Sequence, residues 1–183
     1  MGAALHTYED LLAIPDDGMR RELFDGVLVM TPSPALAHQL AIARIFVALH
    51  DWARNIGWTV VTGPIGLYQD RRNYVEPDVI LLAPDHPENV EGEGMYLACP
   101  PAVVVEVSSP STRRRDLTIK ADWYRRFGVP EYWFVDLKRR MVVAHRMREG
   151  RYDVESLIGE AALTSSLLPG FTVAVATLFP ADQ

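Results

Sequence analysis

The chain has 183 residues, of which 49% are hydrophobic, and its formal net charge is −6. This length and composition predict one globular domain over residues 1–183 with a full hydrophobic core. Cys99 is the only cysteine, which excludes an intrachain disulfide and a thiolate metal cluster within one chain. Residues 1–10 lack the features of a secretion signal, and no stretch has the roughly 18 uncharged residues of a membrane span. We therefore expect a cytoplasmic protein without a membrane partner.

The first third of the sequence predicts a short helix, a β-hairpin and a long helix. Thr7 is a suitable N-cap for the short helix, and Asp25-Gly26 between two apolar runs is a two-residue hairpin signal. The long helix is expected over residues 35–55, with two apolar stripes. We expect it to lie on the sheet and its second stripe to meet a partner chain in a homodimer. The first stripe is Leu36, Leu40, Ala43 and Val47, and the second is Ile42, Ile45, Leu49, Trp52 and Ile56.

Residues 59–82 predict three short strands, with Gly63-Pro64 between the first and the second. The segment from Leu82 to Pro101 is rich in proline, glycine and acidic residues. Its composition predicts a mobile surface loop or a partner surface.

The unbroken run Val103–Val107 predicts a strand that is buried on both faces, since only such a strand needs apolar side chains at both parities. Glu106 lies inside this run, where an isolated carboxylate would cost roughly several kcal/mol. A cation, a proton or good hydrogen bonds must therefore compensate its charge.

A second acid and a lysine are the candidates for that compensation. Asp78 precedes an apolar strand, and a helical pattern downstream places Asp116, Lys120 and Tyr124 on one face. Two carboxylates and an ammonium at one end of a sheet suit a hard divalent cation beside an activated water. We expect Asp78 and Glu106 to raise each other's pKa, and a bound divalent ion to reverse that effect.

Each of these residues also has a purely structural interpretation. Glu106 can pair with an arginine while Asp78 caps a turn. Lys120 can form a surface pair with Asp116, worth only roughly 0.3 to 0.5 kcal/mol. Residue types and spacing alone leave both interpretations open.

The order of the candidate residues along the chain is similar to that of a known family. The segments that carry the similarity are Arg21–Gly26, Ser33-Pro34 followed by His38, Glu76-Pro77-Asp78, Pro101–Thr112, then Asp116, Lys120 and Tyr124, and finally Gly128–Asp136. Together they cover most of the chain and resemble the Uma2 family (DUF820). That family is grouped with bacterial endonucleases in the PD-(D/E)xK restriction-endonuclease-like superfamily.

The resemblance implies an α/β fold of restriction-endonuclease-like type, with a mixed central β-sheet flanked by helices. It also implies metal-dependent hydrolysis of phosphodiester bonds in nucleic acid, with DNA as the expected substrate. Asp78, Glu106 and the backbone carbonyl of Val107 would bind Mg²⁺ or Mn²⁺.

The resemblance further assigns roles near the metal. The superfamily signature expects a lysine where this chain has Ser108, and in the Uma2 pattern the matching lysine is Lys120, which would orient and polarise the nucleophilic water. Asp116 would orient Lys120. Glu22 would join the active-site acids, although a solvent-facing acid on a hairpin is the alternative. His38 is either a capping or packing residue or a metal or catalytic residue.

Two other classes of function remain open. One is a non-catalytic nucleic-acid-binding module on the same fold, and the other is an oligomeric interaction protein built on the long helix and the acidic loop. The negative net charge favours the second, because proteins that bind polyphosphate usually have a basic surface. Arg113, Arg114 and Arg115, with Arg125 and Arg126, would supply a local basic patch for nucleic acid. Phosphate-loop, dinucleotide, zinc-protease and serine-hydrolase motifs do not occur.

Overall fold

The computed structural model of the protein describes residues 5–31, 34–87, 90–91, 96–108 and 116–180. The α-helices in these ranges are α1 (Tyr8–Leu12), α2 (Leu36–Ala53) and α3 (Ala121–Phe127), with a π-helical turn at Asp116–Lys120 and a 3-10 helix at Val175–Leu178. The strands are β1 (Arg20–Phe24), β2 (Val27–Thr31), β3 (Thr59–Thr62), β4 (Gly66–Asp70), β5 (Asn73–Val75), β6 (Val79–Leu82), β7 (Val90–Glu91), β8 (Tyr96–Leu97), β9 (Val103–Val107), β10 (Glu131–Asp136), β11 (Met141–Arg148), β12 (Arg151–Ile158), β13 (Ala162–Thr164) and β14 (Thr172–Ala174).

The predicted N-terminal helix and hairpin are confirmed. The Thr7 hydroxyl accepts a hydrogen bond from the Asp10 backbone N–H, and the Asp10 carboxylate accepts one from the Thr7 N–H at 2.8 Å. This reciprocal cap satisfies N–H groups that the first helical turn leaves unpaired. Asp25 and Gly26 both have positive φ, 50° and 84°, which is the geometry of a tight hairpin turn. The turn folds β2 back onto β1.

A mixed sheet of six strands lies at the centre of the fold, in the order β12-β11-β10-β9-β6-β3. β9 and β10 run parallel, whereas the other neighbouring pairs are antiparallel. All five residues of β9 are buried, as the apolar run predicted. The predicted α/β class with a mixed central sheet and flanking helices is therefore confirmed.

The two faces of the central sheet have different cover. Val103, Val105 and Val107 of β9 face the core formed with α2, whereas Val104 faces the core formed with α3 and the second sheet. By the two-residue period of a strand, Glu106 shares the face of Val104.

A second sheet of six strands has the order β2-β1-β5-β4-β8-β7. β8 pairs in parallel with β4, and β7 pairs with β8. The prediction that the segment from Leu82 to Pro101 forms only a loop is therefore wrong for these two strands. Phe24, Leu67 and Val75 of this sheet pack in the same core as Val104.

α2 forms as predicted, but the stripe assigned to a partner chain is the one that contacts the sheet. Ile42, Ile45 and Leu49 are buried in the core under the helix. The first stripe faces outward instead, with Leu36 69% and Val47 55% exposed. That part of the prediction is wrong, because the register of the helix on the sheet depends on contacts that periodicity does not specify.

The helix that carries Lys120 is not a regular α-helix from its start. Residues 116–120 form a π-helical turn that continues directly into α3. α3 ends at Gly128, whose φ of 93° lies in the left-handed region that favours glycine.

The C-terminal segment supplies an edge strand, a small hairpin and a 3-10 helix. β12 lies at one edge of the central sheet, and β13 pairs with β14. The sequence of Gly170–Val173 and Leu178-Phe179 predicts an edge strand and a short helical turn, and β14 and the 3-10 helix lie in this region. The sequence does not predict β12 and β13. No helix in the described ranges is both long and apolar enough to cross a membrane.

Candidate active site

Asp78 and Glu106 lie side by side at one end of the central sheet. In the antiparallel β6–β9 pair, Val79 lies opposite Val105, so the next step of the register brings Asp78 opposite Glu106. Residues directly opposed in an antiparallel pair project to the same face, about 5 Å apart at Cβ. Both residues are 2% exposed. The structure therefore brings together the two acids that the sequence singled out.

The ammonium group of Lys120 lies between two carboxylates. Its Nζ is 2.7 Å from Glu106 Oε1 and 2.7 Å from Glu22 Oε1, and the Lys120 side chain is 2% exposed. The Tyr124 hydroxyl also donates a hydrogen bond to Glu106 Oε1. The alternative that Lys120 forms a surface pair with Asp116 is wrong. Lys120 therefore reaches Glu106 from the helix that follows β9.

Glu22 reaches this centre from the second sheet. The two-residue period of β1 places it on the same face as Phe24, which packs in the core between the sheets. Glu22 is 1% exposed, and its Oε1 accepts a hydrogen bond from the Glu76 backbone N–H at 3.2 Å. The alternative of a solvent-facing hairpin acid is therefore wrong.

Asp78 is held by three donors from three different elements. Arg20 Nη1 lies 2.9 Å from Asp78 Oδ1, and His38 Nε2 lies 3.2 Å from Oδ2. The Val107 backbone N–H donates to Oδ2 at 2.8 Å. Asp78 is thus a fixed, charged group of the centre, and the alternative that it merely caps a turn is wrong.

The two acids have pKa values shifted in opposite directions. Burial raises the pKa of Glu106 to about 8, with the charge of Lys120 opposing and that of Asp78 adding to the rise. Burial also acts to raise the pKa of Asp78, but the hydrogen bond from His38 and the charge of Arg20 outweigh it and lower the pKa to about 2. The expectation that each acid raises the pKa of the other therefore holds only for Glu106.

Lys120 remains protonated in this environment. Burial acts to lower its pKa, but the charges of Glu106, Glu22 and Asp116 outweigh burial and raise the pKa above its ordinary value. Asp116 therefore acts on Lys120 through its charge. One ammonium cannot neutralise two carboxylates. Glu106 therefore keeps its proton to a higher pH than it would if Lys120 contacted no other acid.

The sequence profile of the Uma2 family, described as "Putative restriction endonuclease", matches residues 8–176. The chain belongs to the Uma2 family. The fold is similar to that of a solved structure described as a "putative nuclease belonging to DUF820" from Anabaena variabilis ATCC 29413. The two have a TM-score of 0.79 at 15% identity, over 94% of this chain and 97% of that one. This likeness confirms the predicted restriction-endonuclease-like fold. No curated protein sequence matches the chain.

The oxygen donors of this Uma2 centre fit a hard divalent cation. Asp78 and Glu106 face each other, and the N–H and C=O of Val107 point to the Asp78 side of β9, because both groups of a strand residue point to the same edge. Mg²⁺ keeps several waters and needs only one or two carboxylates. Among the described residues no group of three or more His, Cys, Asp or Glu side chains is arranged to hold a metal ion. The fit therefore rests on two carboxylates and one carbonyl.

The basic patch expected of this Uma2 chain is only partly described. Arg113–Arg115 and Ser33 lie outside the described residues. Arg125 and Arg126 are both engaged, since each forms an ion pair with Asp122, at 2.7 and 3.1 Å. These two arginines are therefore partly neutralised.

Three contributors to the centre were not assigned a role from the sequence. Arg20 neutralises Asp78, Glu76 binds Glu22 through its backbone N–H, and Tyr124 binds Glu106. Arg20 lies two residues before Glu22 on the same strand. Strand periodicity would therefore have identified it once Glu22 was known to face inward.

Proposed function

We propose that this Uma2 protein is a divalent-metal-dependent nuclease that hydrolyses phosphodiester bonds in nucleic acid, with DNA as the expected substrate. The observation that supports this most directly is the position of Lys120. Its ammonium lies 2.7 Å from Glu106 Oε1, next to Asp78, although the lysine comes from the helix and not from β9. The chain thus retains two acids and a lysine in one buried centre.

Asp78, Glu106 and the carbonyl of Val107 would hold Mg²⁺ or Mn²⁺. A bound ion would neutralise charge on the phosphate and activate a water molecule. Glu106 has a raised pKa and would have to lose its proton before its carboxylate could become a ligand. Metal affinity is therefore expected to rise with pH.

The side chains supply the rest of the mechanism. Lys120 would orient the attacking water and stabilise negative charge as it develops on the phosphate. Glu22 forms an ion pair with the Lys120 ammonium and keeps it in place, and the Tyr124 hydroxyl donates a hydrogen bond that holds the Glu106 carboxylate. Burial of these groups strengthens each interaction, because little water is present to screen it.

Hydrolysis can be tested directly with a panel of substrates. Single- and double-stranded DNA and RNA are incubated with the wild-type protein and Mg²⁺ or Mn²⁺, and the products are resolved on denaturing gels. Cleavage should be lost in Asp78→Asn and Lys120→Gln, and in EDTA. Lys138→Gln is the matched control, because Lys138 is the only other lysine of the chain and is exposed. Cleavage that survives both active-site substitutions would defeat the assignment.

A non-catalytic nucleic-acid-binding module is the second candidate, and one observation favours it. Lys120, Arg20 and His38 already compensate the acids of the centre without a metal ion. Calorimetric titration with Mn²⁺ separates the two candidates. A nuclease requires binding that Glu106→Ala weakens strongly, whereas a purely structural set of ion pairs predicts no binding by either protein.

A further inference from the structure

Arg20 lies on the solvent side of the candidate active site. Its side chain is 27% exposed, whereas that of Asp78, to which it is hydrogen-bonded, is 1% exposed. Arg20 and Glu22 project from the same face of β1, because they are two residues apart on a strand. The guanidinium therefore lies between the buried acids and the solvent from which a substrate arrives.

The two oxygens of Asp78 have different partners. Oδ2 accepts the Val107 N–H at 2.8 Å and lies 3.2 Å from His38 Nε2. Within the described residues, Oδ1 contacts only Arg20 Nη1, at 2.9 Å. A carboxylate oxygen has two acceptor positions, so both positions of Oδ2 are filled. Oδ1 is the oxygen that remains for a metal ion, and Arg20 already lies beside it.

We propose that Arg20 competes with the divalent cation for Asp78 Oδ1 and that, once displaced, it binds a phosphate group of the nucleic-acid substrate. The inference rests on the proposed function and adds a residue to it. Two cations on one carboxylate oxygen repel each other, so Arg20 must weaken its contact with Asp78 when the ion is present. The arginine thereby neutralises the centre when it is empty and contacts the substrate when it is loaded.

The contacts of Arg20 leave room for this second position. Nη1 also donates to the Glu76 backbone carbonyl at 3.3 Å, and Nε lies 3.8 Å from Glu76 Oε2. Nη2 has no hydrogen-bond partner in the part of the chain that the structure describes, so only one of the two terminal nitrogens of the guanidinium is held. A planar guanidinium presents donors that match the oxygens of a phosphate, and it is less strongly hydrated than an ammonium.

The first arm of the test measures Mn²⁺ affinity by calorimetry, without any nucleic acid. Arg20→Ala removes the competing charge, and Arg20→Met removes it while retaining the volume of the stem. Both variants should bind Mn²⁺ roughly five- to tenfold more tightly than the wild type. Arg54→Ala is the control, because Arg54 is exposed and, among the residues that the structure describes, pairs only with Asp51, at 3.9 Å.

The second arm measures binding of a fluorescent DNA oligonucleotide in Ca²⁺, by anisotropy, at several salt concentrations. Loss of one phosphate contact should weaken binding by Arg20→Ala and Arg20→Met, and should reduce the slope of log affinity against log salt by about one. Arg20→Lys retains a charge without the fork and should recover part of the affinity. Arg54→Ala should bind as the wild type does.

The two arms together show whether Arg20 competes with the metal ion for Asp78 or only holds Asp78 in place. If Arg20 only holds Asp78 in place, both neutral variants bind Mn²⁺ more weakly, and the inference is overturned. It is also overturned if neither wild type nor variants bind Mn²⁺, or if DNA affinity and its salt slope are unchanged. If the variants gain Mn²⁺ affinity and lose DNA affinity but no protein cleaves nucleic acid, Arg20 has the proposed role in binding and the hydrolase proposal fails.

Discussion

At the scale of single residues, the centre depends on one ammonium that serves two acids. Lys120 contacts Glu106 and Glu22 at the same distance, 2.7 Å, and none of the three side chains is more than 3% exposed. A buried charge that loses its partner cannot be compensated by water. The same contact that would position a water for hydrolysis therefore also contributes to the stability of the fold.

Replacing Lys120 by methionine should destabilise the protein by about 3 to 5 kcal/mol, because buried Glu22 and, where it is ionised, Glu106 lose their cation. The free energy of unfolding is measured by urea denaturation. The double variant Lys120→Met/Glu106→Gln should recover part of the loss, since it removes one of the two stranded carboxylates. Lys138→Met, at the exposed lysine, should change the stability by less than about 0.5 kcal/mol. Equal effects of the two lysine substitutions would contradict a buried ion pair.

Glu106 should make the metal-free protein less stable as the pH rises. Its pKa is about 8 in the folded chain and 4.5 as the ordinary value, so between these limits the folded state binds the extra proton. Stability then falls with rising pH, by at most about 1.4 kcal/mol per pH unit. Asp78, with its lowered pKa, contributes its stability above about pH 4 and so adds no slope in this range.

The measurement is urea denaturation of the wild type and of Glu106→Gln in EDTA between about pH 6.5 and 8, so that all other groups contribute equally to the two proteins. Glu106→Gln removes the titrating group and should flatten the dependence, while its other groups titrate as before. A wild-type stability that rises over this range, or a slope that Glu106→Gln preserves, would contradict the raised pKa.

The sequence identified the acids and the lysine more reliably than their partners. An acid inside an apolar β-branched run stands out, so Glu106 was found from residue types alone. Lys120 and Glu22 required the family resemblance, because a lysine on a helix and a glutamate on a hairpin are usually exposed. Arg20 was missed because its partner, Asp78, is distant in sequence, and only the packing of the two sheets against each other brings the two residues together.

At the scale of elements, the close approach of β4 and β5 requires a glycine at position 66. A Cβ at Gly66 would lie 2.1 Å from Tyr74 Cε2, so no side chain fits there without moving the ring. The Tyr74 hydroxyl donates to Glu76 Oε1 at 2.9 Å, and the Glu76 backbone binds Glu22. Packing between these strands thus extends to the candidate active site.

Gly66→Ala should destabilise the protein by about 1 to 3 kcal/mol, because the methyl group overpacks the ring of Tyr74. The double variant Gly66→Ala/Tyr74→Leu should lose less than the sum of the two single losses, since the smaller side chain accommodates the methyl group. Thermal and urea unfolding provide the comparison. Strictly additive losses would show that the methyl group and the ring do not meet.

Local signals predicted the elements better than their assembly. Capping at Thr7, the turn at Asp25-Gly26 and the apolar run Val103–Val107 are encoded within a few residues. The division of strands between two sheets, the pairing of β8 with β4 and the register of α2 depend on contacts between distant residues. β12 was missed because most of its residues are exposed and polar, so it lacks the apolar alternation of a half-buried strand.

At the scale of the whole molecule, α2 presents an apolar stripe to the solvent. Leu36 is 69%, Leu40 37% and Val47 55% exposed. A helix face of this kind favours burial against a partner. A homodimer through residues 35–55 therefore remains a prediction, with the outward stripe as the contact.

Sedimentation at micromolar concentration should find the wild type as a dimer and Val47→Glu as a monomer, since a charge would be buried at the contact. Circular dichroism should be unchanged, because Val47 is exposed in the protomer. Val154→Glu on β12, where the side chain is 59% exposed, is the control and should remain dimeric. A monomeric wild type would exclude the contact.

The net charge of −6 opposes binding of a polyanion, and in the metal-free centre Asp78 and Glu106 pair with the positive charges of Arg20 and Lys120 that could otherwise attract a phosphate. In EDTA, Asp78→Asn/Glu106→Gln should bind a DNA oligonucleotide on the order of tenfold more tightly than the wild type, a difference of about 1.4 kcal/mol. Its binding should also lose the response to Mn²⁺, because the ligands are gone. Asp153→Asn/Glu155→Gln on β12 makes the same substitutions at exposed residues and separates local from overall charge. If that control gains as much DNA affinity as the active-site variant, overall charge and not the centre limits binding.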